Sequence, residues 1–234
     1  MSKMQHCEPM DLFRFRPQPF LAFLSDDQIA RLKAAGQRRK LSDGQYIHSR
    51  GDTDPGISII ESGAARAGIY GADGEFILTS FLGAGHPFGE FTVFTELPLS
   101  HDISAVGPTT VIRIPSRTFL EFGAAEPAFL SALMRATLMR SHILLEMLHA
   151  IRILPLVPRV AKFLLILTPP PPAKSKVRFK QADLAATIGL SRASMNRALT
   201  ELENMRLIRR QYGAIEVCDL DQLLGWLKRE SGEY

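Results

Sequence analysis

Between Pro127 and Leu154, the positions Leu130, Met134, Thr137, Ser141, Leu144, Leu148 and Ile151 recur at alternating steps of four and three residues. That spacing is the a/d seam of a continuous helix of roughly seven turns. A helix this long, following a complete β domain, has nothing in its own chain obliged to cover its seam. The seam therefore predicts a twofold partner copy, with packing on the β domain as the alternative.

The chain before the helix has a different texture. Residues 25–35, SDDQIARLKAA, predict a short helix capped by Ser25 and ended by Gly36. From residue 40 to 115, the runs GQYIHS, GISIIES, AARAGIY, EFILTSFL, HDISAV and TTVIRI are short, alternating or apolar, and separated by Gly, Asp and Pro. This pattern predicts an all-β sandwich or roll. In GADGE, residues 71–75, Asp73-Gly74 suits a hairpin turn because both residues tolerate positive φ.

After the helix, PRVAKFLLIL (158–167) predicts a second, apolar helix, and TPPPPAKSK a stiff extended link. Charge divides the chain in the same place. Residues 152–234 carry 14 Lys and Arg against 8 Asp and Glu, whereas residues 1–151 carry 14 against 16. A basic C-terminal third on a mildly acidic remainder points to a polyanion partner for that third. Its centre, KQADLAATIGLSRASMNRALTELENMRLIRRQYGAIEV (180–217), has the layout such a partner needs. A helix from Gln181 closes at Gly189. Ser191 then caps a second helix that buries Met195, Leu199 and Leu202 and presents Arg192, Ser194, Asn196 and Arg197. A hairpin follows, turning at Tyr212-Gly213. This is a winged helix-turn-helix, with arginine suited to guanine and asparagine to adenine in the major groove. Lys180, Arg209 and Arg210 are placed for phosphates, with Ser191 and Gln181 completing the expected DNA-binding set.

Composition excludes other classes. No apolar run approaches the roughly 18 to 20 residues of a membrane span, and the polar, proline-broken start lacks a signal-peptide core, so a soluble cytoplasmic chain is expected. Two cysteines, Cys7 and Cys218, support neither a disulfide framework nor a four-cysteine cluster. A cupin-like metalloenzyme needs clustered histidines, and His86 with Glu90 has no His-x-His beside it. GAGHPFG (83–89) has the wrong spacing for a dinucleotide loop. No nucleophile–base pair stands out, so no enzyme is expected.

The stretch LAATIGLSRASMNRALTELENMRLI resembles the DNA-binding domain of the cyclic-AMP receptor protein/FNR (Crp/Fnr) family of bacterial transcription regulators. GQYIHSRGD and GISIIESGAARAGIYGADGEFILTSFLGAGHPFGE look like that family's β-roll. EPAFLSALMRATLMR looks like its dimerisation helix, and LPLVPRVAKFLLIL like the helix that follows. The resemblance covers roughly residues 20–217. It implies an α+β chain in three parts: a β-roll effector domain (1–125), a dimerisation helix (126–154) and a winged helix-turn-helix (155–234). It also implies a homodimer on a palindromic DNA site, in contact with RNA polymerase.

The sequence departs from the family at the effector cassette. Gly89 and Glu90 match the start of the nucleotide-binding loop. The arginine that would pair with a cyclic phosphate falls on Leu99 or Ser100, next to His101, and no arginine occurs between Arg66 and Arg113. The hydroxyl pair that would hold the base aligns with Leu144 and Leu145. A cassette that has lost its cation and its base contacts is not expected to respond to cyclic AMP. The pocket is then vestigial, or takes a more apolar effector, or holds haem on His48, His86, His101, His142, His149 or Cys7. No cofactor is the primary expectation. The reading helix departs as well. Ala193 stands where relatives carry a glutamate that reads cytosine, so the family's half-site does not carry over.

Overall fold

The computed structural model describes residues 18–53, 56–72, 74, 76–168, 176–177, 181–211 and 213–231. Cys7, Asp73, Lys180, Tyr212 and the proline run lie outside them. The chain divides into two compact units, Gln18–His142 and Ile143–Tyr234, and the division falls inside the long helix.

In the first unit, a 3-10 turn (Phe20–Phe23) leads to α1 (Asp26–Ala35), whose N-cap Ser25 forms the reciprocal capping box with Gln28. The strands are β1 (Gln37–Leu41), β2 (Tyr46–His48), β3 (Gly56–Tyr70), β4 (Phe76–Gly83) and β5 (Pro87–Phe88). Then come α2 (Glu90–Phe94), β6 (Asp102–Pro115), α3 (Ser116–Ala125) and α4 (Pro127–Ile153). The sheet runs β1-β6-β3-β4, with β2 on β6 and β5 on β3, all antiparallel.

The sequence reading expected separate strands at GISIIES and AARAGIY, and again at HDISAV and TTVIRI. The structure fuses each pair into one long strand, β3 and β6. Ser62-Gly63 and Gly107-Pro108 face each other across this ladder, where its register slips between Ile60 and Ala64. Opposed breakers of this kind bend both strands together as bulges rather than ending them. The pleat then sorts the side chains. Ile57, Ile59, Ile112 and Ile114 face a core with Phe20, Phe119 and Phe129 from the helices, while Ile60 and Val111 face the roll interior with Phe88 and Ile103. At the expected hairpin between β3 and β4, Gly74 has φ +77°.

The second unit contains α5 (Leu156–Leu167), β7 (Lys176–Val177), α6 (Gln181–Ile188), α7 (Arg192–Asn204), β8 (Ile208–Gln211), β9 (Ala214–Val217) and α8 (Leu220–Ser231). Its sheet order is β7-β9-β8. Val160, Phe163 and Leu164 of α5 are fully buried against Leu184, Leu199 and Leu202 of the helix pair and Leu223 and Leu227 of α8. Lys162 is buried as well, and its Nζ donates to Glu146 Oε2 of α4 at 2.8 Å. Among the described residues, no helix is long and apolar enough to cross a membrane.

The predicted seam of α4 needs a shift in register. Leu130 packs on the core of the first unit and Ile151 on that of the second, so their own chain takes both ends of the seam. Thr137 is half-buried. The exposed apolar row is instead Met134 (62%), Leu138 (62%), Leu145 (64%) and Leu148 (50%), with Ser141 in step between them. Leu144, 44% exposed, flanks this row. The two registers share Met134, Ser141 and Leu148. They differ because Leu133, Ala136 and Phe129 fix which side of α4 turns to the sheet.

Candidate nucleic-acid interface and effector cassette

In the helix-turn-helix, Gly189 closes α6 with its N–H on Ala186 O, and Leu190 N–H reaches Ala185 O at 2.8 Å. Ser191 then caps α7, its hydroxyl oxygen accepting from the Ser194 N–H at 3.1 Å. Helix α7 buries Met195, Ala198, Leu199 and Leu202, which fixes the opposite face outward. Arg192, Ala193, Asn196 and Arg197 are all exposed there, at the end of the helix whose dipole favours phosphate. The structure thus brings Ser191, Arg192, Ser194, Asn196 and Arg197 together. Gln181 opens α6 and Arg209 lies on β8, both exposed.

Arg210 needs a correction. It was expected on phosphates, but Glu203 of α7 holds it. The Arg210 backbone N–H donates to Glu203 Oε1 and its Nε to Oε2, both at 2.7 Å, and Nη1 donates to Asn196 Oδ1 at 2.8 Å. Hydrogen bonds from the Arg210 backbone and side chain pull the Glu203 carboxyl below its ordinary pKa.

The cassette begins at Gly89, where φ is +96° and a Cβ would stand 2.4 Å from Gly56 O, so only glycine fits. Glu90, the first residue of α2, is 8% exposed. The cassette carries no arginine at Leu99 or Ser100, but α4 brings one to its glutamate. Arg140 donates from Nη2 to Glu90 Oε1 and from Nη1 to Pro87 O at 2.9 Å. Desolvation lowers the pKa of this buried guanidinium, and Glu90 supplies the compensating charge. Glu90 Oε2 has no hydrogen-bond partner among the described residues. Sequence reading missed Arg140, although a signal was present. Phe129, Leu133, Ala136, Arg140 and Ile143 follow one another at helical spacing, and a cation in such a row needs a buried partner.

At the two possible arginine positions, the Leu99 side chain is buried while its N–H and carbonyl pair with Asp52 O and Gly51 N–H. The exposed Ser100 hydroxyl meets His101 Nδ1 at 2.7 Å. A cavity of about 350 Å³ lies between α2 and α4, lined mainly by Phe91, Phe94, Leu130, Leu133, Met134 and Leu138, with Glu90 at its edge. Leu144 and Leu145, expected as pocket residues, are not among its lining. Among the described residues, no three His, Cys, Asp or Glu are gathered to hold a metal ion. His48 Nε2 lies 3.0 Å from Ser58 Oγ, and His86 Nδ1 lies 3.2 Å from Gly83 O.

A β-roll with a glutamate-headed cassette, followed by a winged helix-turn-helix, defines a DNA-binding transcription regulator. Residues 38–126 match the cyclic nucleotide-binding domain family and residues 158–226 the Crp-like helix-turn-helix domain. The chain belongs to the Crp/Fnr family of transcription regulators. It is 24% identical over 196 residues, 84% of this chain and 78% of the other, to the HTH-type transcriptional regulator Cmr of Mycobacterium tuberculosis. The c-di-GMP-responsive global regulator CLP of Xanthomonas campestris shares the fold at a TM-score of 0.69 and 18% identity, covering 82% of this chain and 99% of that one. A CRP/FNR-family regulator from Thermus thermophilus does so at 0.69 and 20%, covering 84% and 100%. An uncharacterized NTE family protein of Mycobacterium bovis is 28% identical over 121 residues, 52% of this chain and 20% of its own. The chain is a regulator, not an enzyme, and the NTE match reflects the cyclic nucleotide-binding-like domain alone.

Proposed function

We propose that two copies of this chain pair through the exposed row of α4 and read a twofold-symmetric DNA site with two α7 helices, without cyclic AMP as effector. The observation that carries this reading is the capped N-terminal end of α7, with Arg192, Asn196 and Arg197 exposed over a buried apolar face. Met134, Leu138, Leu145 and Leu148, each at least half exposed, give the pairing an apolar joint. Against cyclic AMP stand the buried Leu99 and the uncharged Ser100, at the two positions where an arginine would meet the cyclic phosphate. The reading includes no haem or other cofactor, and it places the protein in the cytoplasm, in contact with RNA polymerase as its family implies.

Selection from a random duplex pool with unliganded protein tests the reader. The expected product is a symmetric motif with half-sites about 34 Å apart, one helical turn. Weak, salt-sensitive binding with no motif would sink the ligand-free reader. Titration calorimetry with cyclic AMP is expected to give no saturable heat, and a low-micromolar Kd would reverse the effector assignment.

A further inference from the structure

We propose that Arg210 acts as a positioning residue that makes Asn196 a hydrogen-bond donor toward DNA, biasing the base pair it reads toward guanine·cytosine and against adenine·thymine. This rests on the reading of α7 as the base-reading helix.

The argument begins with spacing. Asn196 and Glu203 are seven residues apart on α7, two turns along one side of the helix. Arg210 comes from the first strand of the wing. Its backbone N–H and Nε both go to the Glu203 carboxylate, which fixes the plane of the guanidinium and aims Nη1 at Asn196. A guanidinium carries donors and no acceptor, so it can hold only the oxygen end of the amide. That settles which way Asn196 faces: Oδ1 toward Arg210, the NH₂ group outward.

The chemistry follows. Asparagine recognises adenine by accepting from the N6 amino group through Oδ1 while donating to N7 through Nδ2. Here a charge-assisted bond of 2.8 Å takes one of the two Oδ1 lone pairs and holds Oδ1 turned toward Arg210. The outward amide offers donors. Guanine presents two adjacent major-groove acceptors, O6 and N7, and suits a donor-only side chain. Adenine keeps a single acceptor beside its own donor and loses its advantage. The sequence alone pointed to adenine for Asn196, and the wing reverses that preference without touching the base.

The test is a random-pool selection with the full-length chain, run in parallel on the unsubstituted protein, Asn196→Ala, Arg210→Met and Glu203→Gln. Asn196→Ala is expected to erase preference at one symmetry-related pair of positions, which identifies the base it reads. In the unsubstituted protein that position is expected to be a guanine·cytosine pair. Arg210→Met is expected to lower its guanine·cytosine to adenine·thymine ratio about tenfold, or about 1.4 kcal/mol, leaving the other positions unchanged. Glu203→Gln keeps the arginine but removes the carboxylate that aims it, and is expected to shift the same position in the same direction.

Three outcomes overturn the proposal: Arg210→Met weakening every sequence alike with an unchanged motif, as a phosphate contact would; an adenine·thymine pair at the position that Asn196→Ala erases; or no change from Asn196→Ala. No motif from the unsubstituted protein has a different meaning, since the ligand-free reader itself then fails and takes this proposal with it.

Discussion

Two arginines in this molecule are each held by a glutamate on another element, and burial gives the pairs opposite roles. Arg140 and Glu90 have side chains 22% and 10% exposed, and they join α4 to the cassette inside the first unit. Arg210 and Glu203 are 28% and 33% exposed, and they join the wing to α7 at the surface of the second. A buried pair is expensive to break, because the surviving charge is left in a medium that solvates it poorly. A half-exposed pair contributes little to stability, because water replaces the lost partner. The first pair is therefore a structural lock. The second is a pointer, whose effect lies in where it directs a neighbouring amide.

The widest separation between the two should appear on removing the arginines. Arg140→Met is expected to destabilise the protein by about 3 to 5 kcal/mol in urea unfolding, and Arg210→Met by less than about 1 kcal/mol. Equal losses would erase the distinction. Replacing both charges of the buried pair, as Glu90→Leu with Arg140→Met, is expected to recover most of the single-variant loss, since well-packed apolar side chains can substitute for a buried pair. A double variant as unstable as Arg140→Met alone would place the damage in packing rather than in an orphaned charge. At the DNA face, Arg192→Ala is expected to weaken the selected site by about 1 to 3 kcal/mol with little effect on random duplex. An equal loss on both would make Arg192 a phosphate contact.

The smallest effect concerns pH. The Glu203 carboxyl lies below its ordinary pKa, so its stabilisation is present above the usual glutamate range and is lost as pH falls through the lowered folded-state value. At this exposure the difference between Glu203→Gln and the unsubstituted protein should be a few tenths of a kcal/mol at neutral pH and should vanish in acid. A difference that persists in acid would mean that Glu203 acts through something other than its charge.

What the sequence disclosed follows from the range of the signals. Ser25, Gly36, Gly189 and Ser191 act within a turn of their own position, and the caps and breaks they predict are where the structure has them. The exposed face of α7 was legible for the same reason, since burial of Met195, Leu199 and Leu202 fixes the opposite side. The bulges were not legible. Ser62-Gly63 and Gly107-Pro108 look like turns one at a time and become bulges only because they face each other across the ladder. Glu90–Arg140 is formed by residues fifty positions apart, and a search for a cation confined to the cassette passed over it. Seven-residue periodicity found the row on α4, but the choice between Thr137 and Leu138 depended on which side the β-roll claimed.

On the pairing proposed above, the leucines left outward on α4 also set how the protein answers to its own abundance. With that row as the joint, monomers combine before a twofold site is filled. Where monomers predominate, occupancy rises with the square of their concentration. Halving expression then quarters the occupied sites, and doubling it quadruples them until saturation. Such a pairing gives a steep response to protein dose, with its threshold set by how tightly Leu138, Leu145 and Leu148 hold two copies together.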